Sequence, residues 1–191
     1  MPTRLVAITA GTGTAASLVP WLRALGAAGL EVVVIREPDL PYGALDEVLD
    51  AAVAAIPTVV VHDRNPHARE LCRERGLTVH LTAGTPPPDG LAFAASTHDP
   101  AEVDAALAAG ARYALLSPVW APLSKPTDHR RPLGPDRYLE IAGERPVYAL
   151  GGITAARYGA LVERGAPGAA VLAAVAGPPA TAARALRKLL R

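Results

Sequence analysis

The side chains able to do chemistry in this chain of 191 residues gather at the ends of short apolar runs. They are Thr9; Arg36 and Glu37; His62, Asp63 and Arg64; His80 and Thr82; Ser96, Thr97 and His98; and Ser117. Histidine suits proton transfer near neutral pH. An arginine at the end of an interior strand suits an anionic ligand, because a buried guanidinium rarely goes unpaired. Two further runs end in small residues, Pro146-Val-Tyr-Ala-Leu-Gly-Gly-Ile153 and Gly168-Ala-Ala-Val-Leu-Ala-Ala174. Without a Cβ, Gly151 and Gly152 let the backbone approach an anion closely. Ala173 and Ala174 complete a candidate phosphate cradle.

The elements that must position these groups follow from periodicity. Candidate strands are Leu5–Thr9, Glu31–Ile35, Thr58–His62, Thr78–Leu81, Leu91–Ala95, Tyr113–Ser117, Val147–Leu150 and Gly168–Leu172. They are short and apolar, as buried parallel strands are. Helical patterns run over Ala15–Ala28, Leu45–Ala55, Asn65–Arg75, Pro100–Ala109, Pro135–Ala142, Ala155–Arg164 and Ala180–Leu190. Only the fourth period lacks a helix, since Thr82-Ala-Gly-Thr-Pro-Pro-Pro-Asp-Gly90 is too rich in proline. Eight strand–helix periods without a linker predict an α/β fold: one compact (β/α)8 TIM barrel over residues 1–191. In that fold the site lies at the C-terminal strand ends, and the loops after strands 7 and 8 often hold phosphate. The predicted ligand is a small phosphorylated molecule.

Composition narrows the function classes. A formal net charge of +1 gives no sign of a nucleic-acid or membrane surface, and no apolar run reaches the roughly 18 residues of a membrane span. A single cysteine, Cys72, excludes an internal disulfide and fits a reducing cytoplasm. No visible signal peptide precedes the first strand. No His/Cys/Asp/Glu spacing resembles a transition-metal site. The segment Gly11-Thr-Gly13-Thr-Ala-Ala16 resembles a dinucleotide fingerprint, but the eight-period pattern argues against that use.

Plainer readings stand beside the chemical ones. His80, between Val79 and Leu81, faces the barrel interior as either a core or a catalytic residue. His62 and Asp63 form an acid–base or metal pair, or a loop salt bridge with Arg64. Ser96-Thr97-His98-Asp99 caps the next helix, or His98 meets the ligand. Lys125 and His129 lie in the long loop 121–134, solvated or facing the site.

Together these stretches resemble the thiamine phosphate synthase and TenI superfamily of small barrels. Val34-Ile-Arg36-Glu37 is similar to its Gln-x-Arg-x-Lys strand end, and Val61-His62-Asp63-Arg64 to Ile-Asn-Asp-Arg. Gly76-Leu-Thr-Val-His80-Leu81 resembles Gly-Val-His-Leu. Ser96-Thr97-His98 with Glu102 and Ala109-Gly-Ala-Arg-Tyr113 resembles Ser-x-His…Glu…Gly-Ala-Asp-Tyr. Ser117-Pro118-Val119-Trp120 with Ser124-Lys125 resembles Gly-Pro-Val-Phe-x-x-x-Thr-Lys. Tyr148-Ala-Leu-Gly151-Gly152-Ile153 resembles Ala-Ile-Gly-Gly-Ile.

The resemblance implies one of two activities. The synthase joins a pyrimidine pyrophosphate to a thiazole phosphate, with Mg2+ and cationic side chains supporting the leaving group. TenI-type enzymes aromatise a thiazole phosphate carboxylate by metal-independent tautomerisation. Several synthase positions differ here: Pro38 stands for a lysine, His62 for an asparagine and Pro122 for a threonine. The aspartate expected after the fourth strand is missing from Leu81-Thr-Ala-Gly-Thr. These departures lead to the expectation of a TenI-like thiazole tautomerase in thiamine biosynthesis, working without a cofactor. Its usual histidine after strand 6 is Pro118 here, so His80, His98 or His62 would be the base. Arg36, Asp63, Ser96, Ser117, Ser124 and Lys125 would bind substrate, and Gly151, Gly152, Ala173 and Ala174 its phosphate. The alternatives are a divergent Mg-dependent synthase, or a non-catalytic phosphate-ligand carrier or regulatory protein. No helix-turn-helix or basic recognition patch supports DNA contact. Members of the superfamily are often homo-oligomers.

Overall fold

Short strands with alternating apolar residues must bury both faces, and here they do so by closing on themselves. The computed structural model describes residues 4–121 and 130–191. Eight parallel strands form a closed barrel in chain order: β1 (Arg4–Ile8), β2 (Val32–Ile35), β3 (Thr58–His62), β4 (Thr78–Leu81), β5 (Phe93–Thr97), β6 (Ala114–Leu116), β7 (Val147–Ala149) and β8 (Gly168–Val171). The described helices are α1 (Ala15–Ala27), α2 (Tyr42–Ala55), α3 (Ala68–Arg75), α4 (Pro100–Ala108), α5 (Pro135–Ala142), α6 (Ala155–Glu163) and α7 (Pro179–Leu189). The expected (β/α)8 barrel is therefore the fold, and β4 connects to β5 without a helix. No described helix is long and apolar enough to cross a membrane.

Alternation divides the core into two layers. Leu5, Ala7, Val33, Ile35, Val59 and Val61 point outward and pack under the helices. Val6, Ile8, Val32, Val34, Val60 and Ala94 point inward. Near the N-terminal end the interior is plugged by Tyr113 and Tyr148, stacked with ring centroids 5.1 Å apart. This plug raises the floor, so the open space lies at the C-terminal end. Below it, the Tyr138 hydroxyl of α5 lies 2.9 Å from the carbonyls of both Val147 and Gly168. That ties the beginnings of β7 and β8 to one side chain.

Register decides which polar residues turn inward. His62 pairs with His80, His80 with Ala94, and Ser96 with Leu115. All lie on the inward-facing set: His62 and Ser96 are two residues from interior Val60 and Ala94, and His80 alternates with the outward Val79 and Leu81.

Three elements have a limit two or more residues from expectation. β5 begins at Phe93 rather than Leu91, because Phe93 is the residue that pairs with Val79. The shift draws Ser96 and Thr97 into the strand. α2 starts three residues early, where the extended Pro41 accepts from Leu45 N–H. α3 starts only at Ala68, because the Asn65 amide donates to the carbonyls of Glu37 and Leu40 while its oxygen accepts from His67 N–H. A buried asparagine so engaged holds a turn rather than a helix.

Candidate functional site

A cavity of about 230 Å³ opens at the C-terminal ends of the strands. Its floor is apolar, made by Ile8, Val34, Leu115 and Ala170. Around that floor stand Arg36, His62, His80, Ser96, His98 and Ser117, with Gly151, Gly152 and Ala173 across the opening. Nine sequence-predicted site residues therefore share one cavity. Ser124, Lys125 and the loop residue His129 lie outside the described residues.

Two expectations fail. Asp63 does not line the cavity: its Oδ1 accepts from Thr82 N–H at 3.0 Å and Thr82 Oγ1–H at 2.7 Å. Ala174 does not join the cradle but packs on the outer core, because a short 3-10 turn over Ala173–Val175 rotates it away. Two cavity residues were not singled out from sequence as ligand-binding, Arg64 and Arg130. Arg64 was legible as the next residue after the His62–Asp63 pair, but only as a salt-bridge partner. Asp63 and Arg64 form no ion pair among the described residues. Asp99, the last residue of the Ser96-Thr97-His98-Asp99 stretch, caps α4 by accepting from Glu102 N–H.

The histidines are held by their neighbours. Ser117 carbonyl lies 2.9 Å from His98 Nδ1. Arg130 Nη1 lies 2.6 Å from His98 Nδ1 and 3.0 Å from Nε2, so the guanidinium sits against the ring. His62 Nδ1 lies 3.2 Å from both Arg64 N and Asp63 Oδ1. His80 Nε2 meets Ser96 Oγ at 2.9 Å, while its Nδ1 is buried with no partner among the described residues. Burial first, and then the neighbouring His62, push His80 down to about 3 against the pull of Asp63. His80 is therefore a neutral ring at physiological pH.

The two ends of the cavity are built differently. Thr9 Oγ1 accepts from Arg36 N–H at 2.8 Å, which fixes the end of β2 against β1. Glu37 turns the other way and is almost fully buried. Its carboxylate accepts from Gly11 N–H at 3.0 Å and Gly13 N–H at 2.7 Å. The loop that resembled a dinucleotide fingerprint is thus already filled by the chain's own carboxylate. On the far side, Gly151 and Gly152 have φ of 101° and 62°, values that exclude most side chains. A Cβ on Gly152 would lie 2.6 Å from the Ala121 carbonyl. Neither glycine N–H donates to a protein acceptor among the described residues. Arg157, which sequence reasoning missed, donates to the Gly152 carbonyl at 2.6 Å and lies over the Trp120 ring. Its only sequence signal is its place in the first turn after Gly-Gly-Ile-Thr.

Charge at this end is unequal. Burial, then repulsion from Arg64, lowers the Arg36 pKa, with Glu37 opposing. Burial alone would raise Asp63, but hydrogen bonds from His62 and Thr82 outweigh it and hold the carboxyl at about 2. Glu37 accepts from glycine amides and Glu102 from His98 N–H at 2.7 Å, whereas Asp63 bonds Thr82 through Oδ1 alone. Among the described residues no three His, Cys, Asp or Glu side chains group as metal ligands. Magnesium requires oxygen donors, usually carboxylates. One or two carboxylates together with substrate phosphates suffice to hold it, and among the described residues Asp63 Oδ2 accepts no hydrogen bond and could serve as one such donor.

The chain matches the family described as thiamine monophosphate synthase over residues 5–175. A Rhizobium etli protein named thiamine-phosphate synthase is 32% identical over 178 residues, covering 86% of each chain. A Geobacillus kaustophilus protein of the same name is 42% identical over 101 residues, covering 50% of this chain and 45% of its own. Thiamine phosphate pyrophosphorylase from Pyrococcus furiosus superposes with a TM-score of 0.73 at 22% identity, covering 98% of this chain and 95% of that one. The structural likeness shows a shared fold. The sequence relatives correct the tautomerase expectation, since they are named synthases. The site supplies a physical reason. A tautomerase needs a base with a pKa near working pH, yet burial pushes His80 far below that range. From β1 to beyond β8, the chain belongs to the thiamine monophosphate synthase family.

Proposed function

We propose that the chain is a transferase that joins a pyrimidine, delivered as its diphosphate, to a thiazole phosphate. A carbon–oxygen bond to the diphosphate breaks as a carbon–nitrogen bond to the thiazole forms, and pyrophosphate leaves. The observation that carries this reading is the presence of two different anion-binding walls on one cavity. Arg64 follows β3 and Gly151 follows β7, strands that lie opposite one another in an eight-strand barrel. A reaction between two phosphorylated substrates calls for such a pair. The relatives named thiamine-phosphate synthase support the same conclusion.

In this reading Arg36 and Arg64 hold the diphosphate. Guanidinium forks match phosphate oxygens and stabilise charge that grows as the bond breaks. The Gly151 and Gly152 N–H groups hold the thiazole phosphate, whose charge does not change. The apolar floor takes the two rings and excludes water. Neutral His80, braced by Ser96, offers a hydrogen bond to a ring without adding charge. This arrangement works mainly by positioning and by preorganised electrostatics.

The test is pyrophosphate release by the purified chain given both substrates, alone and together, with product identified by mass. Release that needs both substrates, with one thiamine phosphate formed per pyrophosphate, is the expected result. Failure to form the joined product, with and without added divalent cations, would overturn the reading.

A further inference from the structure

Arg36 and Arg64 follow different strands, and each is succeeded at once by a buried polar residue, Glu37 and Asn65. Their exposures are 3% and 2%, although both residue types normally stay in water. Neither lines the cavity. Each is engaged instead by backbone groups of neighbouring loops. The Asn65 amide directs one hydrogen to the Glu37 carbonyl at 2.8 Å and the other to the Leu40 carbonyl at 2.9 Å. Its oxygen accepts from His67 N–H at 2.9 Å. The loop after β3 is thus tied to both ends of the 37–40 turn after β2.

Glu37 carries the tie one loop further. Its two oxygens accept from Gly11 N–H and Gly13 N–H, so the loop after β1 is held by the same residue. Arg36 lies on that loop. Its Nη1 is 3.4 Å from the Ala10 carbonyl, and a Cβ on Gly11 would come within 2.7 Å of the same nitrogen. The path of Gly11 therefore decides where the Arg36 guanidinium can rest. The Arg64 side chain makes no hydrogen bond among the described residues, so its place depends on the backbone that Asn65 holds. Arg64 is also close enough to Arg36 to repel it. Like charges move apart unless the backbone beneath them is fixed.

We propose that Glu37 and Asn65 are positioning residues: their buried hydrogen bonds join the loops after β1, β2 and β3 into one unit and set the separation of the Arg36 and Arg64 guanidinium groups. The inference rests on the transferase reading for the ligand that the two arginines meet. It gives a part in diphosphate binding to two side chains that line no part of the cavity.

The experiment is calorimetric titration of inorganic pyrophosphate, with magnesium chloride present, into the full chain carrying Asn65→Ala, Arg64→Gln or both. Each single substitution should weaken binding by about tenfold. The pair should weaken it by about twentyfold rather than a hundredfold, because Asn65 acts through a group that Arg64→Gln removes. A merely structural loss would subtract equally from both backgrounds. Glu37→Gln paired with Arg36→Gln is a second cycle, which decides the matter if Asn65→Ala does not fold. Glu37→Gln keeps the side-chain shape but loses one glycine bond, and should cost about threefold alone and almost nothing beside Arg36→Gln. Additive losses in the double variants overturn the proposal. So does full affinity in Asn65→Ala and Glu37→Gln beside a weakened Arg64→Gln. Both results leave the transferase reading standing. Full affinity in Arg64→Gln itself overturns the proposal together with the placing of the diphosphate. Coupled losses without product formation keep the positioning role and sink the transferase reading.

Discussion

The wall at β2 and β3 and the wall at β7 and β8 solve the same problem with different materials. The first uses long charged side chains, Arg36 and Arg64; Thr9 fixes the Arg36 backbone and the buried Glu37 holds the neighbouring Gly11–Gly13 turn. The second uses backbone N–H groups exposed by two glycines, with no charged side chain required at the contact. Side chains can follow a leaving group as it gains charge and departs. Backbone dipoles suit a phosphate that must only stay in place. The difference also sets how each wall breaks. A charged wall weakens by degrees as cations are removed, whereas a backbone wall fails when its path is blocked.

The largest expected effect therefore lies on the backbone wall. Gly152→Ala places a Cβ 2.6 Å from the Ala121 carbonyl and 2.8 Å from Trp120 Cβ, at a φ of 62°. The loop must move, and kcat/KM for the thiazole phosphate should fall by about a hundredfold. Pyrophosphate affinity should stay within about twofold. An equal loss at both walls would show that they are not independent.

Between the walls sits His80, which belongs to neither. Its neutrality gives the fold a pH signature. The folded pKa is about 3 against 6.5 for the free side chain, so the unfolded chain binds the proton first. This contribution to stability is full above pH 6.5 and is lost progressively as pH falls toward 3. The slope approaches about 1.4 kcal/mol per pH unit. Asp63 acts in the same direction over a lower window, from its ordinary value of 3.8 to about 2. Urea midpoints measured between pH 7 and pH 4 should fall for the wild type, and more gently for His80→Gln. Parallel lines for the two proteins would mean that His80 is not the buried neutral ring described.

Most of the barrel was legible because periodicity and strand-end chemistry are local properties. The inward direction of His80 follows from Val79 and Leu81 alone. The gathering of Arg36, His62, Ser96 and Gly151 follows once eight strands are counted. What sequence could not supply was each polar group's private partner. Asp63 reads as a ligand residue until Thr82 is seen to occupy its Oδ1. The Gly11–Gly13 loop reads as an anion site until Glu37 is found inside it. The departures at Pro38 and His62 point toward a tautomerase, but single positions say less about the reaction than relatedness over 86% of the chain. Arg157 carried almost no signal, since its contacts arise only when the β6 and β7 loops meet.

Arg157 gives the finest test of the comparison. It stands outside the cavity lining, yet its Nη1 donates to the Gly152 carbonyl at 2.6 Å and its guanidinium lies 5.2 Å from the Trp120 ring centroid. It is a positioning residue: by holding the Gly152 carbonyl it fixes the path of the glycine loop beside the cavity. Losing one charged hydrogen bond and one cation–π contact at a partly exposed site amounts to about 1 kcal/mol, or roughly fivefold. Arg157→Gln should therefore raise KM for the thiazole phosphate by about fivefold while kcat and pyrophosphate binding hold steady. Arg157→Lys keeps the charge but not the fork, and should recover only part of the loss. A fall in kcat without a change in KM would place Arg157 in the reaction itself. A matching fall in pyrophosphate affinity would mean that the Trp120 loop couples the two walls, so that the backbone wall and the arginine wall close as one device.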